Sequence, residues 1–590
     1  MKLTESGLKV LHARYLRRDP AGQVVETPDE MCRRVARAIA EPEARYVNGK
    51  AAAEREQAFF ELLDGLDFLP NSPTLMNAGT PVGQLSACFV LPVEDRLEGI
   101  FDSLKLMALI QQSGGGTGFS FSRLRPQGDL VSSTGGAASG PVSFMRVFDC
   151  ATEHVRHGGR RRGANMGVLR IDHPDIEQFI AAKRDGRSFR NFNLSAAVTD
   201  AFMEAVVAGK SFALRHPRTG EVTRQARADE LFANLAEAAW ETGDPGLIFL
   251  DAIARANPLP ALGPIEATNP CGEVPLLPYE SCNLGSLNLS RMVRAAPSGW
   301  TIDWTKLGDT TRLAVRFLDN VIEQASWPAP QISAITRANR KIGLGAMGFA
   351  ELLILLGIPY ASEEASAIAE KLMRWISEEA LAASEELAQE RGEFPNWPQS
   401  RYAQQGRRLR NATRTSIAPT GTISILAGTS AGIEPLFGLV YRRQHVLGEQ
   451  TLLEENPLFE RHASSYGFNS SEIARYVAEH GSLAEAPDVS PQARALFRTA
   501  LEIPATVHLR IQAAFQKHVD NAVSKTINLP QHCTQEQVSE IYLQAWRAGV
   551  KGITIYRYGS MPDQPLVLGS GEQVSNYEHF ARCDPEACKA

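Results

Sequence analysis

Cysteine is scarce in this chain, with eight among 590 residues. That density excludes a disulfide-stapled scaffold. The opening Met1-Lys2-Leu3-Thr4-Glu5-Ser6 has no apolar signal core, so a reducing, cytoplasmic setting is expected, where any disulfide is transient and catalytic. Long hydrophobic runs are also missing. The most apolar stretch, Leu352–Ile358, falls far short of the roughly 18 residues a membrane span needs. Neither sign of charge dominates: a net charge of −6 gives no general attraction to nucleic acid or to a membrane. No metal site is expected. Cys583 and Cys588 lie close together near the end of the chain, but no second close-set Cys or His pair adjoins them, as a structural zinc site would require. Internal repeats are absent, and no linker cleanly splits the chain.

What is present reads as a large globular protein. Hydrophobic residues make up 44% and charged residues 22% of the chain, ordinary for a packed soluble core. Residues 1–70 read as helical, with Glu30–Ala40 and Ala51–Leu66 carrying the clearest patterns. From Thr74 to about Arg170 glycine and small residues abound, including Gly114-Gly115-Gly116-Thr117-Gly118. Ala87–Leu91 and Gly118–Phe121 read as buried strands between them. Helices are expected at Ile176–Arg184, Ala201–Ala208, Ala228–Thr242, Trp304–Ala325 and Glu363–Gln389. Strands are expected at Leu247–Leu250, Ser416–Ala418, Ile423–Leu426 and Gly552–Tyr556. Strands alternating with helices over most of the length indicate an α/β architecture with its site at strand ends. Residues beyond about Met561 are polar, contain Pro and Gly, and read as a mobile tail.

Asn269-Pro270-Cys271-Gly272-Glu273 places a carboxamide, a thiol and a carboxylate at alternate positions. In an extended backbone these three would point to one side. Pro270 disfavours a helical Asn269, and Gly272 frees the turn. A thiol beside a base suits hydrogen-atom or acyl chemistry. Taken alone, however, the default for such a pattern is an inert, buried cysteine in a Pro/Gly turn. Three further cysteine contexts accompany it: Ser86-Ala87-Cys88-Phe89, Glu280-Ser281-Cys282-Asn283, and the terminal Cys583-x4-Cys588, which reads as a dithiol on the tail, with a weak metal site as the other reading. Pro419-Thr420-Gly421-Thr422-Ile423-Ser424 adds hydroxyls and backbone N–H groups of the kind that cradle phosphate. The glycine run before Thr117 also fits a simple tight turn. Cys32, Cys150 and Cys533 read as core.

Together, and in this order, these motifs resemble the catalytic chain of a ribonucleotide reductase over nearly the whole sequence. Partner-activated members of that family carry adjacent tyrosines late in the barrel; here Arg557 separates Tyr556 from Tyr558. The glycyl-radical class carries an Arg-Val-x-Gly-Tyr element that is missing here. The Tyr-Arg-x-Gly-Ser stretch and Gly158–Gly167 resemble the adenosylcobalamin-dependent class (class II). A subunit fed its radical by a separate small subunit, or an inactive nucleotide-binding relative, are the alternatives.

The resemblance implies a ten-stranded α/β barrel over 71–560, with a central finger loop carrying Cys271. A helical segment, 1–70, would pack on the barrel, and a redox tail would occupy 561–590. It implies that adenosylcobalamin initiates a thiyl radical on Cys271, with Glu273 as general base and Asn269 orienting a ribonucleotide. Cys88 and Cys282 would supply two electrons and end as a disulfide. Cys583 and Cys588 would reduce that disulfide, and a thioredoxin-like protein would reduce the tail. Ser72, Ala87, Gly116, Pro419, Thr420, Gly421, Thr422 and Ile423 align with substrate contacts. Asp95 and Arg125 align with contacts to a deoxynucleotide effector, and Arg156–Asn165 and Arg184–Asn191 with its signalling loops, at the interface of a homodimer. With no ATP cone expected ahead of the barrel, substrate-specificity control without an on/off dATP switch is expected.

Overall fold

The computed structural model describes residues 1–590 except 132–134, 158–160, 298, 448–449, 457, 460–470, 561–565 and 571–590. The expected tail dithiol, Cys583 and Cys588, lies outside the described residues, as does Arg160 of the first proposed loop.

Three helices open the chain: α1 (Glu5–Arg14), α2 (Pro28–Ala40) and α3 (Gly49–Asp64). Helix α2 shows why these residues are helical. Thr27 and Glu30 close a capping box around its start, Pro28 occupies the first turn, and Met31, Val35 and Ile39 share one buried face. After them come β1 (Phe68–Pro70), β2 (Cys88–Pro92), α4 (Leu97–Gln112), β3 (Gly116–Ser120), α5 (Pro141–His154), β4 (Asn165–Arg170), β5 (Phe192–Val198) and β6 (Gly246–Phe249). The second half supplies β7 (Ser281–Asn288), α6 (Trp304–Gln324), β8 (Ile342–Met347), α7 (Glu363–Arg391), α8 (Ile423–Ala427), β9 (Thr526–Leu529) and β10 (Gly552–Arg557).

These ten strands form one sheet. Strand β7 is its hub. Along one edge it pairs in parallel with β8; along the other it pairs antiparallel with β1 and then β2. From β2 the order continues through β3, β4, β5 and β6, all parallel, to β10 and then β9. Single bridges, Leu344 to Thr415 and Ile417 to Val523, carry the sheet from β8 through an extended segment to the approach of β9, closing it into a barrel. One hydrophobic layer packs α1–α3, α6 and α7 outside β1, β7 and β8. A second packs α4 and α5 outside β2–β6. A third, containing Cys88, Cys282 and Ala418, fills the barrel interior.

Two strand expectations need correction. Ser416–Ala418 is extended but joins its neighbours through isolated bridges only. Ile423–Leu426 lies in helix α8, not in a strand. The left-handed Thr420 (φ 51°) breaks the extended path. Helical bonds then start at once, Ser424 N to Thr420 O at 2.9 Å and Leu426 N to Thr422 O at 3.3 Å. An apolar run this short carries no period that distinguishes strand from helix. Cys32 and Cys533 are buried as expected, whereas Cys150 is exposed on α5.

Candidate active site

Residues 267–276 form a hairpin inside the barrel, Ala267 opposite Leu276 and Thr268 opposite Pro275. Its passage depends on β3. Along that strand Gly116 and Gly118 face inward while Thr117 and Phe119 pack outward. A Cβ built on Gly118 would lie 1.7 Å from the Thr268 carbonyl oxygen, and one on Gly116 would lie 2.8 Å from Pro270 Cγ. The glycine run is therefore more than a tight turn: it is the floor on which the hairpin rests. Gly118→Ala should cost about 3 kcal/mol of stability or more, because backbone on both sides must move. Gly421→Ala, where no atom of the described residues lies within 4 Å of the new methyl, should stay within about 0.5 kcal/mol. Chemical denaturation of the two variants side by side checks this; equal midpoints would refute the packing argument.

The hairpin tip corrects one expectation. Asn269–Glu273 is a turn with Gly272 at φ 81°, so the three functional side chains are not displayed as on an extended strand. Asn269 and Glu273 are buried, at 1% and 2% exposure, while Cys271 is exposed at the tip. Asn269 is committed to the loop itself. Its Oδ1 accepts from Val274 N at 3.0 Å, and its Nδ2 donates to Cys88 Sγ at 3.1 Å. Asn193 Nδ2 donates to Pro270 O at 2.7 Å and fixes the tip. The Glu273 carbonyl accepts from Ser416 Oγ at 2.9 Å and from Ala522 N at 2.8 Å. Two segments far away in sequence thereby lock the acid. None of Ser416, Ala522 or Asn193 stands out in the sequence, since each works through ordinary backbone or amide bonds.

Glu273 is electrostatically unusual. Burial raises its carboxyl to about 7, against a smaller opposing pull from the Asn269 side chain. Its Oε2 is buried with no hydrogen-bond partner among the described residues. An orphaned, half-titrated carboxylate oxygen costs stability, and it is the state a general base requires.

Cys88 and Cys282, remote in sequence, are direct cross-strand partners on β2 and β7. Cα atoms of such pairs lie about 4.5–5.5 Å apart, within the span a disulfide bridges. Burial pushes both thiols up. Cys88 is raised further by Glu273, Cys282 and Cys271, and Cys282 by Glu280 and Glu273, while Lys341 partly counters the rise at Cys282. Lys341 pairs with Glu280 at 2.6 Å, both fully buried. In these surroundings the two thiols stay protonated, which suits donors of hydrogen and electrons better than nucleophiles.

The expected substrate residues gather at one side of this centre. Ala87 O accepts from Gly116 N at 2.7 Å, tying β2 to β3. Ala418 packs in the same interior cluster as Cys88 and Cys282. The turn Pro419–Ile423 follows it, with Thr420 Oγ1 accepting from Gly432 N at 2.7 Å. Ser72 begins a short helix, and its hydroxyl meets Tyr15 OH at 2.8 Å. Arg14 Nη1 donates to Thr422 Oγ1 at 3.1 Å. Arg14 and Tyr15 were not anticipated, because helix periodicity assigns both to ordinary packing. Asp95, just ahead of α4, and Arg125, just after β3, lie elsewhere, paired with each other at 2.9 Å, with Arg218 at 3.8 Å from Asp95.

Comparison with known proteins shows similarity along nearly the whole chain. Residues 86–408 and 405–556 match the ribonucleotide reductase barrel domain, and residues 1–83 match the ribonucleotide reductase all-alpha domain. A "Vitamin B12-dependent ribonucleoside-diphosphate reductase" of Mycobacterium tuberculosis is 52% identical over 100% of this chain and 84% of its own length. A protein of the same name from Thermoplasma acidophilum is 47% identical over 97% of this chain and 81% of its own. Among solved structures, the Actinobacillus ureae class Id ribonucleotide reductase alpha subunit superposes with a TM-score of 0.77 at 24% identity, covering 94% of this chain and 97% of that one. That similarity bears on the fold.

Proposed function

This chain belongs to the ribonucleotide reductase family, and from that premise we propose that it is an adenosylcobalamin-dependent reductase converting ribonucleoside diphosphates to 2′-deoxyribonucleotides for DNA synthesis. The names of its near relatives support the cofactor and the diphosphate substrate. The observation that carries the site is the convergence, inside the barrel, of exposed Cys271 and orphaned Glu273 on one hairpin with the cross-strand pair Cys88/Cys282 on β2 and β7.

The site fits the cofactor. Cys271 lies at the exposed edge of the loop, and among the described residues no atom comes within 4 Å of a methyl built on the neighbouring Gly272. A large group can therefore approach beside the thiol. Cys271 and Gly272 would face it, on a tip held by Asn193 and Gly116. When bound, adenosylcobalamin supplies the homolytic chemistry that takes the hydrogen atom from Cys271.

The remaining steps belong to the chain. The Cys271 thiyl abstracts the ribose 3′-hydrogen, while Glu273 takes the 3′-hydroxyl proton onto its orphaned oxygen. Cys88 and Cys282 give two electrons and their protons as the 2′-hydroxyl departs as water. The two sulfurs join, Cys271 returns the abstracted hydrogen atom to the ribose 3′-carbon, and Glu273 returns its proton to the 3′-oxygen, which leaves Cys271 as the thiyl it was at the start. Asn269 holds Cys88 in line for that delivery. Cys583 and Cys588 then reduce the disulfide by thiol exchange, with a thioredoxin-like protein as the external dithiol.

The partners follow from surface chemistry. Leu97, Phe101, Leu109 and Val147 on α4 and α5 are 61%, 51%, 40% and 38% exposed, an apolar stripe suited to a symmetric dimer. Asp95 and Arg125, paired with each other at 2.9 Å, would be the contacts for a deoxynucleotide effector. A partner-fed subunit is less well supported, since Arg557 between the tyrosines is occupied with Trp240, 4.0 Å from its ring.

Purified chain given a ribonucleoside diphosphate, a dithiol and adenosylcobalamin, with no second protein, should form deoxynucleotide. A strict requirement for a second subunit would overturn the cofactor assignment.

A further inference from the structure

The phosphate turn assigned above has hydroxyls and backbone N–H groups but no charge of its own. Thr420 and Thr422 provide the hydroxyls, and Gly421 is exposed with open space around its Cα. A nucleoside diphosphate brings close to three negative charges to such a turn, and neutral donors alone neutralise none of them. Among the described residues, a cation in contact with this turn comes from the opposite end of the sequence. Arg14, in the last turn of α1, donates from Nη1 to Thr422 Oγ1 at 3.1 Å. The next residue, Tyr15, is 1% exposed and places its hydroxyl 2.8 Å from Ser72 Oγ, on the other substrate-aligned segment.

The seating of α1 makes these contacts specific. Gly7 lies against α8, where a Cβ would come within 3.0 Å of the Ile425 carbonyl. The side chain of Thr4 caps α1 through Gly7 N, and a Cβ on Gly428 would lie 3.2 Å from Thr4 Cγ2. Helix α1 is thus packed on the helix that starts from the phosphate turn, with its C-terminal end carrying Arg14 to Thr422 at the end of that turn. A guanidinium here has the planar fork that pairs with phosphate oxygens, and it keeps its charge at any working pH.

We propose that α1 forms one jaw of the substrate phosphate site, with Arg14 as the ligand that neutralises the diphosphate and Tyr15 as the positioning residue that orients the Ser72 hydroxyl. This deepens, and rests on, the reading of Pro419–Ile423 as the phosphate turn. The N-terminal helical segment would then be part of the active site, and substrate binding would couple α1 to the barrel.

The test uses the full chain with its cofactor and dithiol, and a deoxynucleoside triphosphate at saturation to occupy the effector site. Arg14→Met should raise KM for a ribonucleoside diphosphate tenfold or more, with kcat within twofold. Direct calorimetric titration with the same diphosphate, without cofactor, should weaken by a like factor while effector affinity is unchanged. Arg14→Lys, which restores charge without the fork, should recover part of the loss. Unchanged KM and diphosphate affinity in a folded Arg14→Met protein, or in a folded Arg14→Gln protein should Arg14→Met fail to fold, would overturn the assignment. Weakened diphosphate binding in a chain whose parent reduces no ribonucleotide would support Arg14 while refuting the reductase reading.

Discussion

Cys271→Ala eliminates deoxynucleotide formation, by on the order of 10^4-fold or more, the scale on which losing a reacting group acts in other enzymes. Among the described residues, no nearby thiol can replace it. Cys88 and Cys282 are 3% and 0% exposed and occupy strand positions beneath the hairpin; Cys271 alone of the three stands at its exposed tip. The substitution leaves the supports of the tip in place. Gly272 keeps its left-handed turn, Asn193 still holds the Pro270 carbonyl, and Pro270 still rests against Gly116. Unfolding midpoints should therefore match the parent within the small range of surface substitutions. Ribonucleotide affinity should match within about twofold, since a thiol-to-methyl change at an exposed tip removes little binding surface. Product assays and calorimetry on one preparation decide it. Parallel loss of turnover and binding would show that Cys271 shapes the loop instead of carrying the chemistry, and retained turnover would move the radical to another residue.

The sequence disclosed this centre through residue types, not through geometry. Cys271 and Glu273 stand out because a thiol and an acid share a Pro/Gly turn. That they diverge, one outward and one inward, depends on a left-handed Gly272 and on Ser416 and Ala522 gripping the Glu273 backbone. No local pattern encodes those distant bonds. The Cys88/Cys282 pair is legible only through family resemblance, because its proximity arises from antiparallel pairing of β2 with β7. The glycines of β3 were visible as a run, yet their purpose appears only when the hairpin is seen crossing them. Helix α8 departs from the expected strand because a turn residue, Thr420, decides its start. The alternating elements gave the α/β class, while the closure of the barrel rests on single bridges at Thr415 and Ile417, too slight to leave a strand signature.

Glu273→Gln separates what this residue does for catalysis from what it does for folding, and the two effects run in opposite directions. Burial raises the carboxyl to about 7 from an ordinary 4.5, so the proton is held in the folded chain at pH values where the unfolded chain has released it. A group with a raised folded-state value contributes stability that is complete below the unfolded value and lost as pH rises through the folded one. The parent should thus lose stability relative to Glu273→Gln between pH 4.5 and 7, and the variant should be the more stable protein at pH 8. Catalysis needs the opposite state. A base must be ionised to accept the 3′-hydroxyl proton, so kcat/KM of the parent should climb with pH and level off above about 7. The amide matches the acid in shape and can still donate or accept a hydrogen bond, but it cannot take a proton. Its kcat/KM should fall on the order of 10^2- to 10^4-fold and lose that limb of the profile. Denaturation midpoints and kcat/KM across pH 5 to 9 are the measurements. A variant that keeps the rising limb would assign the titration to another group, and a variant less stable than the parent at pH 8 would mean that Oε2 is satisfied in the folded chain. The penalty on the orphaned oxygen is thus the mark of a site shaped for a hydroxyl that arrives only with substrate.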